Sequence, residues 1–254
     1  MDADQDRDGS TPAPEAPARF GIHGLLVFVA VFLLAVPFGL IVLLLRVKVA
    51  WLRHVDVDTA NDLHTFDEHH HAFVTTMKAV SDVGSSIAWI VILTTVGIWL
   101  LYRRLYRLVA FLMITAIGSS LLNNAIKAAV GRTRPVLVDP VATASGKSFP
   151  SGHTQSAIVG YGILVLIFLP AVGRRRRPLL VALATLMVLL IGFSRIALGV
   201  HYLSDVVGAL GIGGAWLFAM TAAFSAWRRE LKLPPVQPTK GLEPEHAAEL
   251  TPDT

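Results

Sequence analysis

The fold class this sequence predicts is an all-α polytopic membrane protein: six transmembrane helices in one bundle, with an outer interfacial amphipathic helix. Three observations carry that prediction. Hydrophobic residues fill 54% of the 254 positions and charged residues only 16%, where a soluble domain carries about 25% charged. The mean hydropathy is +0.59. Apolar runs of 19–22 residues recur along the chain, each enough to cross a bilayer core of about 30 Å at about 1.5 Å per residue.

The elements follow in order. Residues 1–20 are rich in Asp, Pro and Ala and read as an unstructured cytoplasmic leader. The first apolar run, 25–45, is too long for a secretory signal and reads as a retained transmembrane helix kinked at Pro37. Five more runs follow at 83–102, 108–126, 154–172, 179–198 and 206–227. They complete a membrane domain over 21–230, leaving 231–254 as a polar, Pro-containing tail expected to lack structure on the cytoplasmic side.

The connection at 47–82 is the longest. Leu63, Phe66, Phe73, Met77 and Val80 recur there at helical spacing, the pattern of an amphipathic helix at the outer interface. Such a helix either lines a lateral entry for lipid or packs over the bundle.

Orientation follows from the short loops. Arg103, Arg104 and Arg107, then Arg174, Arg175, Arg176 and Arg177, then Arg228, Arg229 and Lys232 all fall on one side. The positive-inside rule makes that side cytoplasmic. The opposite assignment treats all these as ordinary topogenic charges with the other loops inside, and it must place four successive arginines outside.

Those other loops carry three strings of polar residues. Lys127 is followed after six residues by Arg134-Pro135, then come Pro150-Ser151-Gly152-His153, then Ser194-Arg195 with His201 and Asp205. All map to the outer ends of spans three to six. Ionisable groups at that depth are costly unless paired or solvated, so their convergence reads as a site.

The residue types suit phosphoryl transfer. Lys127, Arg134 and Arg195 offer positive charge and forked donors to phosphoryl oxygens. Ser151 and Gly152 open a helix, where free backbone N–H groups and the helix dipole cradle an anion. His201 and Asp205 are four apart, so on a helix the carboxylate orients the imidazole. His153 is then free to protonate a leaving alkoxide.

These strings resemble the signature of the type 2 phosphatidic acid phosphatase superfamily, which also includes vanadium haloperoxidases and bacterial nonspecific acid phosphatases. Every fixed position is present in order, with gaps of 14 and 40 residues between the strings. The resemblance implies that His201 is a nucleophile forming a phosphohistidine, oriented by Asp205, with His153 as general acid and later activator of water. It assigns Lys127, Arg134, Ser151, Gly152 and Arg195 to the phosphate and its transition state. It also implies chemistry without a divalent metal or other cofactor.

The expected function is therefore a lipid phosphatase of the cell membrane, its site on the extracytoplasmic face. The candidate substrates are polyprenyl pyrophosphate (undecaprenyl pyrophosphate among them), phosphatidic acid and phosphatidylglycerol phosphate. A lipid phosphotransferase would use the same residues, and a lipid-carrier transporter would use the cations without the chemistry. The implied partners are the bilayer and a lipid phosphate; with no aromatics interleaved along a basic stripe, nucleic acid is not among them, and no feature marks an oligomeric state. Absence of cysteine excludes disulfides and a thiol nucleophile.

Three further features have plainer readings. Arg132 lies outside the signature and reads as an interfacial anchor. Asn123 and Asn124 read as hydrogen-bonding to a neighbouring helix. His69, His70 and His71 suggest a metal, but successive helical residues point about 100° apart and make a poor ligand set.

Overall fold

The structure, a computed structural model, describes residues 50–251 and, before them, Gly39 alone. The run at 25–45 and the leader at 1–20 lie outside the described residues. Seven α-helices and two short 3-10 turns account for the described architecture: α1 Ala50–His69, α2 His71–Val83, α3 Ser86–Tyr102, α4 Tyr106–Val130, α5 Gly152–Phe168, α6 Arg177–Ala197 and α7 Leu203–Glu230, with the turns at Leu169–Ala171 and Pro244–His246.

Five of these stretches are long and apolar enough to cross a membrane: His71–Tyr102 taken together, Tyr106–Val130, Gly152–Ala171, Arg177–Ala197 and Leu203–Glu230. Each contains or overlaps one of the five apolar runs after the first. α5 sits at the centre, packed by α3, α4, α6 and α7. More than half of its apolar stretch is buried (56%), against 22–33% in the other four. The outward faces are apolar as well, with Ile87 76% and Leu121 65% exposed, as suits helices solvated by lipid.

The described part of the 47–82 segment, from residue 50 on, forms two helices instead of one. The break falls at His70, whose ring stacks on Phe66 with centroids 3.8 Å apart and whose Nδ1 reaches the Phe66 carbonyl at 2.7 Å. α1 then lies against α6 and α7, while α2 packs on α6 and leads through Gly84 into α3. Phe66 is 44% exposed, whereas Val74 and Met77 join Ala197, Leu198 and Val200 in a small core.

The tail also differs from the sequence reading. Leu242 and Leu250 are buried in the main core beside Leu108, Phe111, Ile163 and Ile167, and Leu242 N–H donates to the Leu166 carbonyl at 3.0 Å. Composition made this segment look unstructured because its polar majority hides two leucines. Burying each is worth about 1.5–3 kcal/mol, which helps to offset the cost of ordering the chain around them.

Candidate active site

The site assembles at the end of the bundle where α4 stops, α5 and α7 start, and α6 turns towards α7. α4 closes on Gly131, whose φ of 67° is the left-handed conformation that favours glycine at a helix end. That stop leaves Lys127 in the last turn. Its Nζ donates to the Pro150 carbonyl at 2.8 Å and the Lys147 carbonyl at 3.1 Å, tying α4 to the 131–151 loop.

The chain leaves α6 through Gly199, with φ of 66° and a space that a Cβ would fill against Leu137 at 2.3 Å. This turn carries His201 back over the end of α6, and His201 N–H donates to the Arg195 carbonyl at 3.2 Å. α7 packs closely behind: a Cβ on Gly208 would meet Phe149 at 2.4 Å, so glycine there lets the loop before Ser151 sit on the helix.

His201 is 2% exposed and held from both ring nitrogens. Arg134 Nη1 lies 3.0 Å from Nε2, and Asp205 Oδ2 lies 3.3 Å from Nδ1. A guanidinium can only donate, so Nε2 is the acceptor and Nδ1 carries the proton towards Asp205. Burial pushes the His201 pKa down to about 4, with the Asp205 hydrogen bond opposing and Arg134 and Arg195 adding to the fall. The ring is therefore neutral at pH 7, its Nε2 lone pair covered only by a displaceable donor.

Asp205 is fully buried. Its Oδ2 accepts from His201, from the Tyr202 N–H at 2.9 Å and from the Ser148 hydroxyl, while Oδ1 accepts from Arg132 Nη1 at 2.6 Å. Ser151 caps α5, is fully buried, and accepts from Thr154 Oγ1 at 3.0 Å; its N–H donates to the Asp205 carbonyl at 3.1 Å. Gly152 follows in the first turn of α5. Arg195 is 8% exposed, bonded through Nη1 to the Ser81 hydroxyl of α2, with its Nε buried and unpartnered.

Arg134 is spread over carbonyls, donating to Val200 at 2.7 Å and Ser145 at 3.0 Å besides His201. His153 is half-buried, within electrostatic reach of Arg195, His201, Arg134 and Lys127. All eight residues singled out from the three strings thus meet at one end of the bundle. Among the described residues, no carboxylate lies within ion-pair distance of Lys127, Arg134 or Arg195.

Other features of the sequence sort differently. Arg132 is no interfacial anchor: it ion-pairs with Asp205 and with Asp56 of α1, both at 2.6 Å, because the loop folds inward over α7. Asn123 does bond to a neighbouring helix, Nδ2 donating to Gln155 Oε1 of α5 at 2.8 Å. His69, His70 and His71 stay apart from the site. The one His/Asp/Glu group close enough to share a metal, among the described residues, is Glu243, Glu245 and His246 at the opposite end. Asp56, Ser81 and Ser148 went unnoticed in the sequence because each has its partner 57 to 148 positions away.

A groove of about 550 Å³ runs from this site down between α3, α4 and α5. Lys127 and Gly152 stand on its lining with Asn124, Ser120 and Ser156, and Trp89, Leu93 and Ile117 supply apolar wall.

Residues 107–229, which hold all three strings, match the family model of the PAP2 superfamily. It is to the PAP2 superfamily that this stretch, a little under half of the chain, is similar. Phosphatidylglycerophosphatase B of Bacillus subtilis (strain 168) is 29% identical over 142 residues, covering 54% of this chain and 68% of the relative. A lipid A 1-phosphatase of Rhizobium etli is 34% identical over 122 residues, covering 44% of this chain and 48% of its own length. The chain thus spans about two thirds of the first relative and about half of the second. The crystal structure of a transmembrane PAP2 type phosphatidylglycerolphosphate phosphatase from Bacillus subtilis superposes with a TM-score of 0.67 at 21% identity, over 79% of this chain and 96% of that one. That likeness is one of fold. The family match begins inside α4 and ends inside α7, while the likeness to the solved structure extends beyond it, over 79% of the chain.

Proposed function

We propose that this protein is a membrane lipid phosphatase that works through a phosphohistidine on His201. The observation that carries the reading is the cation surplus: Lys127, Arg134 and Arg195 gather at the end of the bundle that holds the neutral, buried His201, and among the described residues no carboxylate lies within ion-pair distance of any of them. Fixed donors of that kind meet the charge on the equatorial oxygens of a transferring phosphoryl group.

In the first step Nε2 of His201 attacks phosphorus as Arg134 moves from the ring to a phosphoryl oxygen. The bond from phosphorus to the lipid oxygen breaks, and His153 gives that oxygen its proton. Asp205 stabilises the positive imidazole through Nδ1. In the second step His153 takes a proton from water, the oxygen attacks phosphorus, and the P–N bond breaks to release inorganic phosphate and neutral His201.

The names of the relatives support phosphatidylglycerol phosphate and the 1-phosphate of lipid A as the first substrates to try, with phosphatidic acid and polyprenyl pyrophosphate after them. The groove between α3, α4 and α5 supports a lipid, because it opens on apolar wall and ends at Lys127. We place the site on the extracytoplasmic face of the cell membrane, since the arginine-rich loops gather at the opposite end with the tail: Arg103 donates to the Glu249 carbonyl, Arg107 to Glu243 and Arg177 to the Thr239 carbonyl.

The test is phosphate release by the purified protein in detergent with EDTA, each lipid offered in turn, beside His201→Ala. Release by the wild type that the variant loses, together with acid-labile phosphate trapped on His201, is the expected result. Equal release by wild type and variant would sink the assignment.

A further inference from the structure

We propose that Arg132 and Asp56 act together as the positioning pair that sets the rotation of Asp205 and, through it, of His201. The inference rests on the phosphatase reading above. Three donors (His201, Tyr202 N–H and Ser148) all bind the same oxygen of Asp205, Oδ2. The other oxygen, Oδ1, is bonded by Arg132 alone among the described residues. A fully buried carboxylate oxygen without a donor is costly, so Arg132 decides which way the carboxylate turns. With Oδ1 fixed, Oδ2 faces the imidazole.

Arg132 is itself held on three sides. Its Nη2 donates to Asp56 Oδ2 at 2.6 Å, its Nη1 also reaches Ser204 Oγ at 2.7 Å, and its guanidinium lies 4.2 Å from the centre of the Tyr202 ring. Asp56 is 1% exposed and accepts the Ser204 N–H at 2.9 Å, so it also caps the first turn of α7. Two buried carboxylates therefore share one guanidinium at a helix N-terminus, where the dipole favours both charges. The planar fork can bridge them; an ammonium, a point charge, cannot hold both in place.

Asp56 sits on α1, outside the residues that match the family model, so part of the orienting apparatus lies beyond that match. The side chains of Arg132 and Asp56 make no hydrogen bond or ion pair with those of Lys127, Arg134 or Arg195, so their expected effect falls on the imidazole and not on those phosphate donors.

The experiment uses the full chain in detergent with EDTA, and whichever of the four lipid phosphates the wild type turns over fastest. Asp56→Asn keeps the shape of the side chain, and Arg132→Lys keeps the charge without the fork. Both lower kcat roughly 10- to 100-fold, with KM and the inhibition constant for inorganic phosphate unchanged. If Arg132→Lys does not accumulate in membranes, the isosteric Asp56→Asn decides alone. Turnover within about twofold of wild type overturns the inference, as does a loss confined to KM and phosphate inhibition. A wild type that releases phosphate from none of the four lipids overturns the phosphatase reading first and this one with it.

Discussion

The two ends of the bundle bury charge in opposite ways. At the tail end, Arg228 is 1% exposed and meets Glu243 at 3.1 Å and Glu245 at 2.6 Å, while Arg107 meets Glu243 at 2.6 Å. At the other end Lys127, Arg134 and Arg195 are accompanied by carbonyls, a hydroxyl and a neutral imidazole, and the buried carboxylates Asp56 and Asp205 are held by Arg132. A cation matched by carboxylates at rest has its charge already answered. One matched only by neutral acceptors keeps its charge available for an incoming anion, and the protein bears the cost of holding it there. The first arrangement fastens a tail; the second suits the phosphate proposed above.

Replacing the two kinds of arginine should separate these roles most strongly. Arg134→Ala is expected to lower kcat/KM by about 10²- to 10³-fold, the usual consequence of removing one transition-state donor, with the thermal midpoint unchanged. Arg228→Ala is expected to do the reverse. It leaves Glu243 buried with the half-exposed Arg107 and the more distant His246 as its remaining charge partners among the described residues, at a cost of about 3–5 kcal/mol, while the folded fraction turns over normally. Steady-state kinetics alongside thermal unfolding in detergent reads both. An Arg228→Ala protein of full stability and no activity would break the comparison.

The pH dependence is a finer test of the same contrast. The His201 pKa is lowered, to about 4 against about 6.5 in an unfolded chain, and burial is the main cause. A lowered value means that the folded state binds the proton later than the unfolded one. Stability from this group is therefore complete above about pH 6.5 and is lost as the pH falls towards 4. In the proposed mechanism the neutral His201 likewise persists to mildly acidic pH, so the acid limb of kcat/KM assigned to it is expected well below that of a free histidine. Profiles of phosphate release from pH 4 to 8 check this, and a limb centred near 6.5 would mean that His201 is solvated in the working enzyme.

How much of this was legible in the sequence depended on distance along the chain. The apolar runs are local, so the five described spans could be read directly, with ends shifted by a few residues where helices run past the apolar stretch. The three strings are local clusters as well, and they led to all eight residues that meet at one end. What stayed hidden was made by distant partners. Arg132 and Arg134 are two residues apart and chemically alike, yet one faces Asp205 and Asp56 while the other faces His201. Nothing local separates them, because the direction of each is set by how the 131–151 loop folds over α7. Asp56 and Ser81 lie in the long connection, where hydrophobic spacing spoke for helix but gave no clue to polar partners. The tail was misread for a related reason: two buried leucines and two glutamates hold it, and composition averages them away.

The smallest expected effect belongs to neither end. Gln155, in the second turn of α5, donates to the Ser119 carbonyl and hydroxyl at 3.0 Å each and accepts from Asn123 at 2.8 Å, all within the membrane-spanning helices. Hydrogen bonds between membrane helices are worth about 0.6 kcal/mol on average, since the separated helices also find partners. Gln155→Leu removes three of them and leaves the Asn123 amide without its acceptor, so about 1–2 kcal/mol of stability should go. Gln155 also lines the groove below Lys127. If lipid lies along that groove, the variant raises KM for a long-chain lipid phosphate and leaves KM for a short, water-soluble phosphate ester alone. Equal KM changes for both would mean that the substitution disturbed the cage from below. No change in either would move the lipid to another face of the bundle, while leaving the contrast between the paired and unpaired ends as it stands.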